Sequence, residues 1–204
     1  MNTGHEDPVR LLGRARTGDG VALGELLGHY RNYLKLLARV QIGHRLQGKA
    51  GSSDLLQETF VEAHRNLGLF RGTTEAEFVA WLRKILAGRL ALLFRRFLGT
   101  RGRDVRLERE LTMELDQSSL VLDHAFVAPG SSPSGQLARR EQAVRLADAL
   151  ERLPEHYREV IVLRHLGGLT FQQVARRMGR TEDSVQKLWV RALASLRRTL
   201  GGST

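Results

Sequence analysis

The chain has 204 residues, of which 42% are hydrophobic and 26% charged, as expected for one globular domain or two small ones. Lysine and arginine exceed aspartate and glutamate by ten, which favours a polyanionic partner such as nucleic acid or an acidic membrane surface. The lack of cysteine excludes disulfides, thiolate metal sites and cysteine nucleophiles. No segment resembles a signal peptide or a membrane span, so we expect a cytoplasmic protein without membrane insertion.

Charge is distributed unevenly along the chain. The net charge is +6 over residues 1–100, −2 over 101–138 and +6 over 139–204, so two basic blocks flank an acidic middle. Residues 128–135, APGSSPSG, have no charged, aromatic or long aliphatic side chain and contain two prolines and two glycines. Such a composition breaks helices and buries little surface, which predicts a flexible linker between two domains. An ordered loop inside one domain is the alternative.

Both halves of the chain have helical periodicity. Apolar residues recur at steps of three and four, and no stretch alternates with period two between hairpin turns. This pattern predicts an all-α protein with two small helical domains. Two capping-box patterns mark helix starts, Thr74 with Glu77 and Thr170 with Gln173. The predicted helices are 8–17, 20–47, 54–68, 75–98, 104–116, 136–152, 155–166, 170–178 and 182–199.

The segment 169–197 has the pattern of a helix-turn-helix. Thr170 begins a short helix, Gly179 supplies a tight turn, and Thr181 begins a second, amphipathic helix. An α-helix fits the width of the DNA major groove, so this second helix is suited to sequence-specific DNA binding. A helical hairpin that binds protein through a solvated basic face is the alternative.

The exposed side of this second helix would meet DNA. Four polar residues remain there once the apolar positions are buried: Asp183, Ser184, Lys187 and Arg191. We predict that Ser184 and Lys187 reach base edges and that Arg191 contacts a phosphate. The backbone-contacting cations of the first helix and the turn are predicted to be Arg176, Arg177 and Arg180.

The residue pattern of the predicted helix 54–68 indicates a protein-binding surface. Its apolar positions by spacing are Leu56, Phe60, Ala63 and Leu67. The opposite face then projects Gln57, Glu58 and Glu62. Carboxylates repel DNA but suit basic groups on a protein partner, which makes this face a candidate protein contact. A solvated acidic face is the alternative.

The residues in and around the predicted helix 75–98 indicate a second DNA-binding region. It is expected to bury Phe78, Trp81, Leu82, Ile85 and Leu92. Residues 83–106 contain eight basic side chains and one acidic one, a patch that suits the phosphates of a nucleic acid. The preceding loop 70–74 is a candidate pocket for a nucleic-acid base. Core packing is the alternative for Phe70 and the favoured interpretation for Trp81.

The sequence shows no catalytic or cofactor pattern. Its seven histidines have no metal-ligand spacing, and no Walker loop, nucleophile elbow or dinucleotide fingerprint occurs. We therefore predict a protein that is not an enzyme, with no catalytic residue, metal, cofactor or small-molecule substrate.

Three stretches of the sequence resemble the sigma-70 family of bacterial RNA polymerase sigma factors. Residues 150–197 resemble region four, which binds the −35 promoter element. DLLQETF at 54–60 resembles the region-two motif that docks on core polymerase, and FRGTTEAEFVAWL at 70–82 resembles the loop and helix that open and read the −10 element. With no other domain between them, the layout is that of the extracytoplasmic-function group.

The resemblance implies three segments, namely region two at 8–106, an acidic and then Pro/Gly/Ser-rich linker at 107–137, and region four at 138–199. It implies core RNA polymerase and promoter DNA as partners and allows for an anti-sigma factor. The resemblance also adds Asp54 to the predicted polymerase contacts Gln57, Glu58 and Glu62. The implied −10 contacts are Phe70, Arg71, Thr73, Thr74, Arg83 and Lys84, and the implied −35 contacts are Arg176, Arg177, Arg180, Thr181, Ser184, Lys187 and Arg191.

The implied function is promoter-specific transcription initiation, including assistance with promoter opening. Gly88 and Leu92 depart from the family pattern, in which asparagine and a polar or acidic residue are frequent, and this bears on −10 recognition. A conventional helix-turn-helix regulator and a sigma-like protein-binding adaptor are the alternatives.

Overall fold

The structure is a computed structural model that describes residues 6–46, 51–98, 105–124 and 135–201. These residues form helices and the turns between them, without a strand, which confirms the all-α prediction. Residues 128–134, which make up most of the segment predicted to be a flexible linker, lie outside the described ranges.

Contacts divide the chain into two compact units. The first comprises Met1–Ala38 and Gly51–Asp116, and the second comprises Arg39–Ala50 and Gln117–Thr204. The helices are α1 (Pro8–Arg16), α2 (Gly20–His29), α3 (Arg31–Leu46), α4 (Ser52–Asn66), α5 (Glu75–Leu98), α6 (Val105–His124), α7 (Gly135–Glu151), α8 (Glu155–Ile161), α9 (Phe171–Met178) and α10 (Glu182–Gly201). The boundary between the units falls within α3 and within α6.

In the first unit, α5 is the helix against which α1 and α4 pack. Its buried side is lined by Phe78, Leu82, Leu86 and Phe94, each fully enclosed. Burying an aromatic or leucine side chain contributes about 1.5–3 kcal/mol, so this stripe holds the unit together. The basic side chains of α5 are thereby turned toward the surface or toward ion-pair partners.

The structure corrects the predicted helix 20–47, which is two helices. The backbone leaves helical geometry at Tyr30, with φ −91° and ψ 2°. Tyr30 is fully buried, and its hydroxyl donates to Glu75 Oε1 at 2.5 Å. Periodicity alone missed this break because the sequence around Tyr30 contains no proline and Gly28 is also compatible with a helix.

Two further predictions about burial and length are corrected. Leu92 was expected in the core but is 42% exposed, because the buried stripe of α5 runs through Leu90, Ala91 and Phe94. Helix 104–116 continues to His124, so much of the acidic part of the predicted linker is helical. In that continuation Ser119 and Leu122 are buried, which gives the extra turns an inner face.

In the second unit, α10 packs against α7, α8 and α9. The predicted helix 155–166 becomes α8 followed by a single π-helical turn, in which Gly167 N–H donates to Val162 O at 2.8 Å. An ion-pair group closes the end of α7: Arg39 Nη1 and Arg158 Nη1 lie 2.7 and 3.2 Å from Glu151 Oε2. These contacts fix the scaffold that positions α9 and α10.

Candidate DNA-binding and protein-binding surfaces

The helix-turn-helix is defined by its caps. The Thr170 hydroxyl accepts from Gln173 N–H, and the Gln173 side chain accepts from Thr170 N–H, which completes the predicted capping box at the start of α9. The helix ends at Gly179, whose φ of +63° is a left-handed conformation that glycine adopts without a steric penalty. Thr181 then accepts from Ser184 N–H at the start of α10. The turn therefore follows from local sequence.

Each of the two helices buries one apolar face. Val174 and Ala175 of α9 are buried, while Phe171 and Met178 are half-buried. On α10 the buried positions are Val185, Leu188, Ala192 and Leu196. The opposite side of α10 consequently projects Lys187 and Arg191 to solvent, with Ser184 half-exposed at its first turn.

The predicted phosphate-binding cations differ in exposure. Arg176 and Arg180 are exposed, whereas Arg177 is half-buried, and its Nη2 is buried without a hydrogen-bond partner among the described residues. Burial raises the pKa of nearby Glu159, and the charge of Glu155 raises it further against the opposing charges of Arg177 and Arg180. The surface thus offers Arg176 and Arg180 to an anion more directly than Arg177.

A ring cluster braces α10 from behind. Trp189 Nε1–H donates to His165 Nε2 at 2.9 Å, and the two rings stack with centroids 5.7 Å apart. Phe171 packs edge-on against Trp189, and the Arg164 guanidinium lies over the Phe171 ring at 5.0 Å. This cluster joins the π-helical turn, α9 and α10, so it sets the angle at which α10 is presented.

The candidate protein-binding face of α4 is partly engaged within the first unit. Asp54, Gln57 and Glu58 are exposed, as the spacing predicts. Glu62 instead forms an ion pair with Arg89 of α5, whose Nη1 also lies 4.0 Å from Glu58 Oε2. Arg89 was not among the predicted site residues because it is distant in sequence from α4, and no local pattern links them.

The inner side of α4 also differs from the prediction. The buried positions are Leu55, Leu56, Thr59 and Ala63, whereas Phe60 and Leu67 are half-buried. Thr59 is accommodated because its hydroxyl donates to Leu55 O at 2.8 Å within the helix.

Loop 70–74 is built on a ring cluster and held by a carboxylate. Phe70 is only 8% exposed and packs against Phe78 and Trp81 at centroid distances of 5.6 and 5.2 Å. Glu77 Oε2 accepts from the N–H groups of Thr73 and Thr74, each at 2.9 Å. These bonds lower the pKa of Glu77 and complete the predicted capping box of α5.

The predicted −10 contacts are therefore not equally accessible. Arg71, Thr73, Thr74 and Lys84 are exposed. The Phe70 ring lies beneath the loop. The Arg83 side chain is only 11% exposed and is bonded to Asp116 Oδ1 at 2.8 Å, so it supports the packing of α6 on α5.

One side of α5 carries a shallow groove in which both departures from the expected pattern lie. Gly88 and Leu92 line it together with Lys84 and Ile85. A Cβ atom added at Gly88 would meet nothing within 4 Å, so glycine here leaves open space on the surface.

The described residues contain neither a membrane-spanning helix nor a metal-binding cluster. No described helix is long and apolar enough to cross a membrane. No group of three or more histidine, aspartate and glutamate side chains is placed to hold a metal ion in the part of the chain that the structure describes.

Comparison with known proteins identifies relatives of both units. A family model described as sigma-70, region 4 matches residues 143–196. The ECF RNA polymerase sigma factor BldN of Streptomyces coelicolor is 32% identical over 192 residues, which cover 94% of this chain and 65% of BldN. The RNA polymerase sigma-H factor of Pseudomonas aeruginosa is 28% identical over 195 residues, covering 96% of this chain and 94% of that protein.

Solved structures with similar chains include CnrH in complex with the cytosolic domain of CnrY, at 24% identity and a TM-score of 0.35. That match covers 97% of this chain and 100% of the other. The RsbN–BldN complex matches at 28% identity and a TM-score of 0.33, covering 92% of this chain and 97% of the other.

Proposed function

Because this chain belongs to the sigma-70 family of RNA polymerase sigma factors, in its extracytoplasmic-function group, we propose that it directs core RNA polymerase to specific promoters and assists promoter opening. The observation that carries the proposal is the capped helix-turn-helix with a cationic outer face. The mechanism uses binding energy rather than chemistry, and no residue has a catalytic role. Phosphate contacts position the complex, and base contacts discriminate between promoters.

In this proposal the segment 138–199 is region four and binds the −35 element. Lys187 and Ser184 meet base edges from α10, and Arg191 contacts a phosphate. Thr181 starts the helix that carries them. The flanking phosphates are held by Arg176, Arg177 and Arg180. Arg176 and Arg180 are exposed, so their assignment to phosphate contacts has more direct support than that of Arg177.

The segment 8–106 is proposed as region two, joined to region four by 107–137. Asp54, Gln57 and Glu58 contact core polymerase through the exposed face of α4, and Glu62 supports that face through Arg89. Arg71, Thr73, Thr74 and Lys84 contact the −10 element. Phe70 and Arg83 do not contact DNA in this proposal, because both side chains are largely buried. Phe70 supports the loop, and Arg83 supports α5.

The location proposed for this activity is the cytoplasm, where core polymerase and promoter DNA are present. An anti-sigma factor is a further proposed partner. Such a partner would inhibit by covering the polymerase-binding face of α4 or the outer face of α10, because both are needed for initiation.

The test is transcription by bacterial core polymerase from a library of upstream sequences, with and without the full-length chain. We expect initiation from a subset of templates that shares two spaced elements. Specific duplex binding without initiation would contradict the proposal and favour a conventional regulator. Polymerase binding without initiation would contradict it in favour of a protein-binding adaptor.

A further inference from the structure

The outer face of α10 carries a carboxylate that phosphate binding does not explain. Asp183 lies in the first turn of α10 with its side chain 73% exposed. It precedes Lys187 by one helical turn. A carboxylate repels phosphates, so in a purely electrostatic contact it would weaken binding to DNA of every sequence. Its position therefore points to a contact other than phosphate.

Asp183 is held beside a cation. Lys187 Nζ donates to Asp183 Oδ2 at 2.8 Å, and the Lys187 side chain is 67% exposed. An exposed pair of this spacing adds little to helix stability. Its structural consequence is to place a hydrogen-bond acceptor and a donor side by side on the outer face of α10.

The pair lies in a shallow concavity. Its described lining consists of Arg180, Asp183, Ser184, Lys187, Leu188 and Arg191. Asp183 is the one carboxylate among these lining residues, and the flanking arginines offer phosphate contacts on both sides of it. This arrangement matches a surface whose rim follows the DNA backbone and whose centre meets base edges.

A guanine–cytosine pair presents complementary groups in the major groove. Guanine offers O6 and N7 as two adjacent acceptors, and cytosine offers its N4 amine as a donor. Adenine replaces the O6 acceptor by an amine, which repels an ammonium group, and thymine replaces the N4 amine by O4, which repels a carboxylate. The reversed thymine–adenine pair keeps one acceptor beside one amine, but it has a methyl group in place of guanine N7 and adds adenine N7 as an acceptor beside the carboxylate. A neighbouring ammonium and carboxylate therefore fit guanine–cytosine better than adenine–thymine.

We propose that Asp183 is a specificity-determining residue that, together with Lys187, selects a guanine–cytosine pair within the −35 element. Lys187 donates to guanine, and Asp183 accepts from the N4 amine of cytosine. This inference rests on the proposed function of α10 and adds to it the identity of a base pair that α10 recognises.

The test is promoter selection by the full-length chain with core polymerase, on a library that varies every position of the −35 element. Asp183→Ala is compared with Glu182→Ala, which removes the same charge from the adjacent, exposed position of the same helical turn. We expect Asp183→Ala to reduce the preference for guanine–cytosine over the other base pairs about tenfold at one position. Glu182→Ala should keep that preference. Lys187→Ala should lose preference at the same position as Asp183→Ala.

Three results would overturn the inference, and they are distinguishable. If Asp183→Ala and Glu182→Ala both use all templates more efficiently and keep the wild-type base preferences, Asp183 acts only through its charge, and the proposed function stands. If Lys187→Ala and Asp183→Ala change preferences at separate positions, the joint recognition of one pair is wrong. A wild-type chain with no preferred −35 sequence contradicts the proposed function itself.

Discussion

At the scale of single residues, loop 70–74 passes so close to the ring cluster that only glycine fits at position 72. A Cβ atom added there would lie 2.4 Å from Phe70 Cζ and 2.8 Å from Glu77 Cβ. Phe70 cannot move aside easily because Phe78 and Trp81 pack against it. The loop that we assign to the −10 element is therefore fixed by core packing.

Gly72→Ala should lower the free energy of unfolding of the first unit by about 1–3 kcal/mol, since the loop or the Phe70 ring must shift. Gly68→Ala is the matched control, because a Cβ atom at Gly68 meets nothing within 4 Å and should change stability by less than about 0.5 kcal/mol. Urea unfolding followed by Trp81 fluorescence, with Trp189→Phe in all variants, measures both. Equal losses would contradict the packing argument.

His165 is the residue whose protonation should be felt in the second unit. Burial lowers its pKa below the ordinary value of 6.5, and the charge of Arg164 lowers it further. Its Nε2 accepts the Trp189 hydrogen bond and so must be unprotonated. The unfolded chain therefore takes up this proton at a higher pH than the folded chain does.

The stabilisation from neutral His165 should be complete above about pH 6.5 and be lost as the pH falls toward the lowered pKa of the folded state. Urea unfolding at pH 7.5 and pH 5.5, monitored by Trp189 fluorescence with Trp81→Phe in all variants, measures this loss. His165→Gln keeps an acceptor for Trp189 but does not titrate, so the loss should be smaller in that variant. An identical pH dependence in the two proteins would assign the effect to other groups.

At the scale of elements, the short α9 depends on its first turn. A helix of eight residues is too short to be stable alone, so its capping box and its packing on α10 decide whether it forms. Thr170→Ala should lower the free energy of unfolding of the second unit by about 0.5–2 kcal/mol, because Gln173 N–H loses its acceptor.

Thr170→Ser is the matched control for that substitution, since serine provides the same hydroxyl. Urea unfolding monitored by Trp189 should show a stability close to that of the wild type for Thr170→Ser. A loss as large as that of Thr170→Ala would mean that the methyl group, rather than the cap, accounts for the effect.

Sequence predicted the elements that depend on local signals. The capping boxes at Thr74 and Thr170 and the turn at Gly179 involve residues within a few positions of one another. At the break between α2 and α3, Tyr30 bonds to Glu75, and Glu62 forms an ion pair with Arg89. Such contacts join distant segments, and no periodicity encodes them.

At the scale of the whole molecule, the net charge of +10 makes salt dependence a test of where DNA binds. Arg176→Ala should reduce the slope of log affinity against log salt concentration by about one unit, if Arg176 neutralises one phosphate. Arg197→Ala removes an equal charge from an exposed site outside the proposed contacts and should leave the slope unchanged. Equal slopes in both variants would contradict the assignment of α9 to the DNA backbone.

Polymerase binding and −35 recognition are proposed to reside on separate surfaces, α4 and the helix-turn-helix. The most direct measurement is the initiation rate at one promoter, held below saturation, as core polymerase is titrated against a fixed amount of the chain. Glu58→Ala should shift the midpoint to higher polymerase concentration and reach the wild-type plateau. Arg176→Ala should keep the midpoint and lower the plateau. If both variants change the same parameter, the two functions do not reside on separate surfaces.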